Sequence, residues 1–287
     1  MFKDARIAQI SFLALFLLLG ISTRDWTLRP ELLAVLGASC LGMQWVTRSL
    51  LPTLRHQPEV KLWTIPSWES ALITGLGLCL LLRGNSVATM ALAGGVAIAS
   101  KTLFQYQDKH FFNPANFGII VALLLTPDAW VSPGQWGTQA WYLILFVGAG
   151  GLVLRWVGRW ETSAVFLATY AGLEAVRTFA LGWTADVYLH KLMSGSLLLF
   201  ALFMVTDPRS IPNARQGRFV WAAAVAWLAF LLQEEFFVST AMFWALFALS
   251  PLTPLLDRVW PGSRFQWQEP ESCATAPSLI HGLGSLE

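Results

Sequence analysis

Apolar residues run through this chain in long unbroken blocks, with polar residues gathered between them rather than striped through them. A membrane helix needs ~20 mostly apolar residues. Ten windows meet or approach that pattern: 5–22, 31–47, 67–83, 86–102, 114–130, 139–156, 161–180, 187–206, 218–233 and 236–256. The pattern predicts an all-α polytopic membrane protein with about ten transmembrane helices. The first window follows Lys3 and Arg6 and ends in Gly20-Ile21-Ser22. No small-x-small cleavage site follows it, but Arg24 and Asp25 do, so it reads as a retained helix. The fourth, rich in Gly94, Gly95, Ala97 and Ala99, suits close helix packing inside a bundle. Residues 1–261 read as one transmembrane domain. It divides into five-helix halves near 1–130 and 139–256. Five is odd, so the halves would be inverted in the membrane, an arrangement that puts sites where helices break. Residues 262–287 are polar and read as a mobile tail.

Composition supports this pattern. Of 287 residues, 55% are hydrophobic and 13% charged, against ~25% charged in soluble domains. Fifteen Trp and nineteen Phe suit the water–lipid interface, which implies membrane lipid as a partner. A net charge of +2 suggests no nucleic-acid partner. Cys40 and Cys79 lie in apolar runs, and no CxxC pair or His/Cys cluster points to a metal. With odd windows running outward, fourteen of nineteen Lys and Arg fall in cytoplasmic segments and three (Arg24, Arg29, Arg83) outside. That bias predicts that both termini are cytoplasmic.

Two stretches stand out on that same face. The first, Ser100 to Gly118, contains Lys101 and Lys109-His110-Phe111-Phe112-Asn113-Pro114-Ala115-Asn116-Phe117. Asn113 suits a helix cap and Pro114 the first turn. A helix start beside Lys101, Lys109 and His110 favours anions. A capped helix behind an ordinary positive loop is the plainer reading. The second, Met204-Val205-Thr206-Asp207-Pro208-Arg209, ends the eighth window, and Pro208 stops the helix. Asp207 and Arg209 are suited to pair with each other or with a ligand. Among ionisable residues within or beside windows, Glu174 and Arg177 share a face and can neutralise each other. Lys191 and His190 suit snorkelling, and Glu234-Glu235 a solvated outer turn. No P-loop, GxSxG or HExxH occurs, so no catalytic residue is assigned.

The segment from Lys109 to Gly118 resembles the K-H-x-F-N-P-A-N-F motif of the NqrB/RnfD family. These are membrane components of sodium-pumping NADH:quinone oxidoreductase and of Rnf ferredoxin:NAD oxidoreductase. Ser70-Ala71-Leu72-Ile73-Thr74 resembles that family's S-A-L-I-[ST] helix opening, and Ser194 to Arg209 its G-x-L-L-F-x-x-F-M-x-T-D-P segment. The resemblance implies a urea-transporter-like inverted repeat in a bacterial cytoplasmic membrane, with other redox subunits as partners and electron transfer coupled to ion movement. It also implies FMN or riboflavin as cofactor. The family's covalent-FMN motif, S-G-A-T, is missing; the corresponding connector has only Gly137-Thr138. Noncovalent flavin is therefore expected, near Lys101, Lys109, His110, Asn113, Asn116, Asp207 and Arg209. Some short relatives resemble membrane proteins associated with enediyne biosynthesis. A permease or channel for a small solute or flavin-like molecule is thus the alternative function.

Overall fold

A computed structural model describes residues 5–23, 29–54, 68–131, 136 and 139–265. Lys3, Arg24, Asp25, Arg55, Lys61, Gly137, Thr138, Cys273 and the tail from 266 onward lie outside the described residues. The first half contains α1 (Ala5–Thr23), α2 (Pro30–Leu54), α3 (Trp68–Leu81), β1 (Leu82–Arg83), α4 (Val87–Leu103), β2 (Gln105–Tyr106), β3 (Lys109–His110), α5 (Pro114–Leu125) and β4 (Trp130–Val131). The second half contains α6 (Ala140–Val157), α7 (Trp160–Ala180), α8 (Ala185–Leu192) and α9 (Gly195–Leu199), which runs into a π turn (Phe200–Met204). It continues with α10 (Arg215–Glu234), α11 (Ala241–Leu249), a 3-10 turn (Ser250–Leu252) and α12 (Thr253–Val259).

Each apolar window holds a helix or a bent helical unit. The departures have physical causes. At 1.5 Å per residue, α3 is about 21 Å long and α5 about 18 Å, short of a ~30 Å hydrocarbon core. Both windows finish in extended backbone instead. β1 and β4 pair antiparallel, Leu82 opposite Val131 and Arg83 opposite Trp130, so the peptide groups freed from each helix satisfy one another. Among the described residues, α1 is the helix that is by itself long and apolar enough to cross a membrane. The unit of α8 with Gly195–Met204, bent by 46°, passes only when taken together. The mostly helical class is thus as expected.

Packing follows the same order in both halves. α1 lies on α3, α2 on α3 and α4, and α4 on α5. Correspondingly, α6 lies on α9 and the π turn, α7 on α8, the π turn and α10, and α10 on α11. The first helices of the halves, α1 and α6, touch, as do α5 and α11. Small residues permit the closest approaches. A Cβ on Gly118 of α5 would lie 2.6 Å from the Ala93 carbonyl oxygen of α4, and one on Gly94 2.9 Å from that of Leu36 in α2. Cys40 and Cys79 are buried and small, as expected, the Cys40 thiol facing the Gly94 carbonyl. Large apolar side chains remain on the outside, including Phe179 (90% exposed), Phe237 (84%), Leu103 and Ile144 (both 73%). So much exposed apolar surface marks contact with a non-aqueous partner.

The intrahelical ion pair expected of Glu174 and Arg177 does not form. Arg177 reaches across to Glu234 (2.6 Å), and Glu174 binds Lys191 (2.9 Å). Lys191 also binds Glu234 (2.8 Å) rather than snorkelling outward. Glu234 is therefore not a solvated turn residue; its side chain is 8% exposed. Sequence spacing showed which residues share a helix face but not that α7, α8 and α10 converge there.

Candidate functional site

The site begins with a hairpin. β2 pairs with β3, Gln105 opposite His110 and Tyr106 opposite Lys109. Its two-residue turn puts Gln107 (φ 51°) and Asp108 (φ 61°) in the left-handed region, the geometry that matches strand twist. Arg264 holds the Gln107 side chain (2.9 Å) and Arg209 approaches the Asp108 carbonyl (3.5 Å). Just beyond, the Asn113 Oδ1 accepts the Asn116 amide (3.0 Å), and Pro114 occupies the first turn of α5. Phe104, Phe111, Phe112 and Phe117 pack round this entry, with Phe247 of α11 stacked 5.0 Å from Phe112.

The second half meets it at an irregular helix end. In the π turn, the Val205 amide bonds back to the Phe200 carbonyl (2.9 Å), a one-residue slip of a kind often found at functional sites. The Met204 carbonyl then accepts the Asn113 Nδ2 (3.1 Å). The following Thr206-Asp207-Pro208-Arg209 turn places the Asp207 carboxylate 3.5 Å from the His110 Nε2. Burial works to raise the Asp207 pKa, but the His110 imidazole and the Arg209 amide more than offset it, and the carboxyl sits below its ordinary value.

Between α1, α3, the end of α4, α6 and this turn lies a cleft of about 1000 Å³ counted to its open mouth. Its walls are largely apolar, with Leu13, Ile73, Leu154 and Phe203 among them. Its polar lining includes Arg6, Lys101, His110, Asn113, Asp207 and Arg209. Arg6, Lys101 and Arg209 against the one carboxylate of Asp207 make this an anion-favouring pocket. Lys101 gives two hydrogen bonds to Ser70, at its carbonyl (3.0 Å) and its hydroxyl (2.9 Å). A third ammonium donor is left for a ligand.

Of the seven residues singled out in the sequence, five line this cleft. Lys109 and Asn116 do not. The Lys109 ammonium turns away to Asp257 (2.7 Å), the Ile211 carbonyl (2.6 Å) and Asn213 (3.1 Å). Burial lowers its pKa, against the pull of Asp257. Asn116 is buried and donates to the Phe243 carbonyl (3.1 Å). Both tie the motif to the second half. Arg159, Glu161 and Arg218 extend this polar seam, with Arg218 bonded to Glu161 and to the Asn213 carbonyl (2.5 Å). Sequence reasoning missed Arg6, Ser70, Thr74 and Thr206 as lining residues. Ser70 and Thr74 sit in the S-A-L-I-T segment and Thr206 in T-D-P, so the motifs carried the signal. Arg6 was counted only as a flanking charge. Among the described residues, no three His, Cys, Asp or Glu side chains gather to hold a metal.

The residues present fit a flavin. The apolar walls suit the ring system, Arg6, Lys101 and Arg209 suit a phosphate, and Asn113 and the hydroxyls offer hydrogen bonds to ring edges.

Comparison with known proteins agrees with the motifs. Residues 131–266 match the NQR2, RnfD, RnfE family. The D subunit of an ion-translocating oxidoreductase complex from Halorhodospira halophila is 36% identical over 116 residues, 40% of this chain and 32% of that protein. Its namesake from Stutzerimonas stutzeri is 34% identical over 128 residues, 45% and 36% of the two chains. The match thus spans about a third of the length of these two relatives. The D subunit of the Na(+)-translocating ferredoxin:NAD(+) oxidoreductase complex of Acetobacterium woodii is 25% identical over 262 residues, 77% of this chain and 79% of that one. The family match, over residues 131–266, and relatives of one kind make the chain similar to the NQR2, RnfD, RnfE family in its second half.

Proposed function

We propose that this protein is an RnfD-like membrane component of a bacterial electron transport system, and that it holds FMN or riboflavin noncovalently in the cleft between its halves. The observation that carries this reading is the cleft itself: an apolar slot whose polar lining takes His110 and Asn113 from one motif, Asp207 and Arg209 from another in the other half, and Arg6 and Lys101 besides. The names of the relatives support ion translocation and redox subunits as partners. A bound flavin would supply one- or two-electron chemistry. The chain's own residues bind and orient it, with Lys101, Arg6 and Arg209 toward the phosphate and Asn113, His110 and Asp207 beside them.

The reading extends to topology. Ten crossings in two inverted five-helix repeats are supported by the repeated packing order and by the pairing of like with like, α1 with α6 and α5 with α11. The short α3 and α5 then resemble the broken helices of such folds. The basic-residue bias favours a cytoplasmic position for the cleft's polar lining and for both termini. Purified protein should release flavin on denaturation, detected by absorbance and chromatography of the supernatant. A colourless protein that releases none would overturn the flavin assignment and turn attention to solute passage through the same cleft.

A further inference from the structure

Away from the cleft, and sharing no residue with its lining, α7, α8 and α10 bury a charged cluster. Glu234 is well satisfied: it receives Arg177 (2.6 Å), Lys191 (2.8 Å) and the Gln233 side-chain amide (3.3 Å). Glu174 is not. Its side chain is fully buried, and only Oε2 is bonded, to Lys191 (2.9 Å). Oε1 has no hydrogen-bond partner. One turn further along α7, the buried Thr178 Oγ1 also has none. A bare carboxylate oxygen and a bare hydroxyl oxygen on one helix face are costly in a dry interior. Exposure is graded across the cluster, with side chains 23% exposed at Arg177, 22% at Lys191, 8% at Glu234 and 0% at Glu174. Trp183 covers the two cations, 4.8 Å from Arg177 and 5.7 Å from Lys191. The groups facing Glu174 are Tyr170 on its own helix, Lys191 on α8 and Glu234 on α10.

We propose that Glu174 is a proton-binding site, loaded from the surface where Arg177 and Lys191 emerge. A proton from bulk water adds to Oε1 and converts the carboxylate to a carboxylic acid. The O–H becomes a donor within the cluster, toward the Thr178 or Tyr170 hydroxyl. Lys191 then pairs with Glu234 alone, beside Arg177, and on deprotonation is shared again. A Lys shared between a satisfied and a half-satisfied carboxylate is thus the resident counter-ion of an exchange site. A sodium ion fits less well, since the pair of carboxylates already faces two cations.

The test is the infrared pH-difference spectrum of the purified full chain in detergent. Ordinary carboxyls are ionised at about pH 7. A protonated-carboxyl stretching band is expected to persist there, to vanish in Glu174→Gln and to survive in Glu235→Gln. Lys191→Met should carry the band to higher pH, because the acid loses its competing cation. Absence of any such band in the unaltered protein, its survival in Glu174→Gln, or its replacement by a sodium-specific shift would overturn the proposal. If Glu174→Gln fails to fold, the unaltered protein and Lys191→Met decide the matter.

Discussion

The Asn113 side chain joins the two halves of the molecule: its Nδ2 donates to the Met204 carbonyl at 3.1 Å while its Oδ1 caps α5 through the Asn116 amide. One residue thereby fixes a helix start in the first half to a helix end in the second. The cleft's polar lining depends on that registration, since His110 and Asp207 approach each other from the two sides of it.

Asn113→Ala should remove both bonds. The cap alone contributes about 0.5–2 kcal/mol, and the Met204 carbonyl loses a buried partner, about 1 kcal/mol or more. Asn113→Asp keeps the cap acceptor but cannot donate to Met204. Thermal unfolding in detergent should rank the unaltered protein above Asn113→Asp and Asn113→Ala.

Lys109→Met should act on stability and not on the cleft. The Lys109–Asp257 pair is nearly buried, at 10% and 12% exposure, and removing one partner strands a buried charge at a cost of about 3–5 kcal/mol. Asp257 would still accept the Asn213 amide (2.7 Å), but without a cation to balance its charge. The double variant Lys109→Met/Asp257→Leu should recover much of the loss, measured as unfolding midpoint.

Gly118→Ala should loosen the α4–α5 contact. The added methyl meets a backbone oxygen at 2.6 Å and the Ala97 Cβ at 2.9 Å, neither of which is a flexible side-chain end. Overpacking of this kind costs about 1–3 kcal/mol. The same substitution at Gly148, where nothing lies within 4 Å, should be neutral or stabilising in its helix.

Asp128 gives a pH dependence at the opposite end of the short helices, in the turn beyond α5. Hydrogen bonds from the Thr89 hydroxyl (2.5 Å) and the Asn85 and Ser86 amides (2.9 and 2.8 Å) hold its carboxyl below the ordinary value. A depressed carboxylate pKa stabilises the fold above the unfolded pKa of ~3.9 and loses that contribution as pH falls through the folded one. The melting temperature should therefore fall on acidification, and that of Asp128→Asn should fall less over the same range.

The helical class was readable because apolar runs of this length have few other uses, and the α5 cap was readable because Asn-Pro states its geometry locally. The hairpin at 105–110 was not: Gln107-Asp108 lacks the glycine that usually marks a left-handed turn, and contacts from Arg264 and Arg209 support it instead. The ends of α3 and α5 were also hidden, because the two-residue strands that follow them form only by pairing with each other, Leu82 with Val131 and Arg83 with Trp130. At the site, motif residues were found but not their directions. Lys109 and His110 are neighbours on β3 and so face opposite ways, one into the polar seam and one into the cleft. Lys191 lay on a short helix whose partners, Glu174 and Glu234, come from two other elements, and single-helix spacing holds no trace of that.

Binding of FMN and riboflavin to flavin-depleted protein tests the central claim most directly. The cleft offers cations to a phosphate and apolar walls to a ring. FMN should thus bind more tightly than riboflavin, and Lys101→Met should weaken FMN about tenfold, ~1.4 kcal/mol, while leaving riboflavin nearly unchanged. Equal loss of both ligands, or no binding of either by folded protein, would contradict the account.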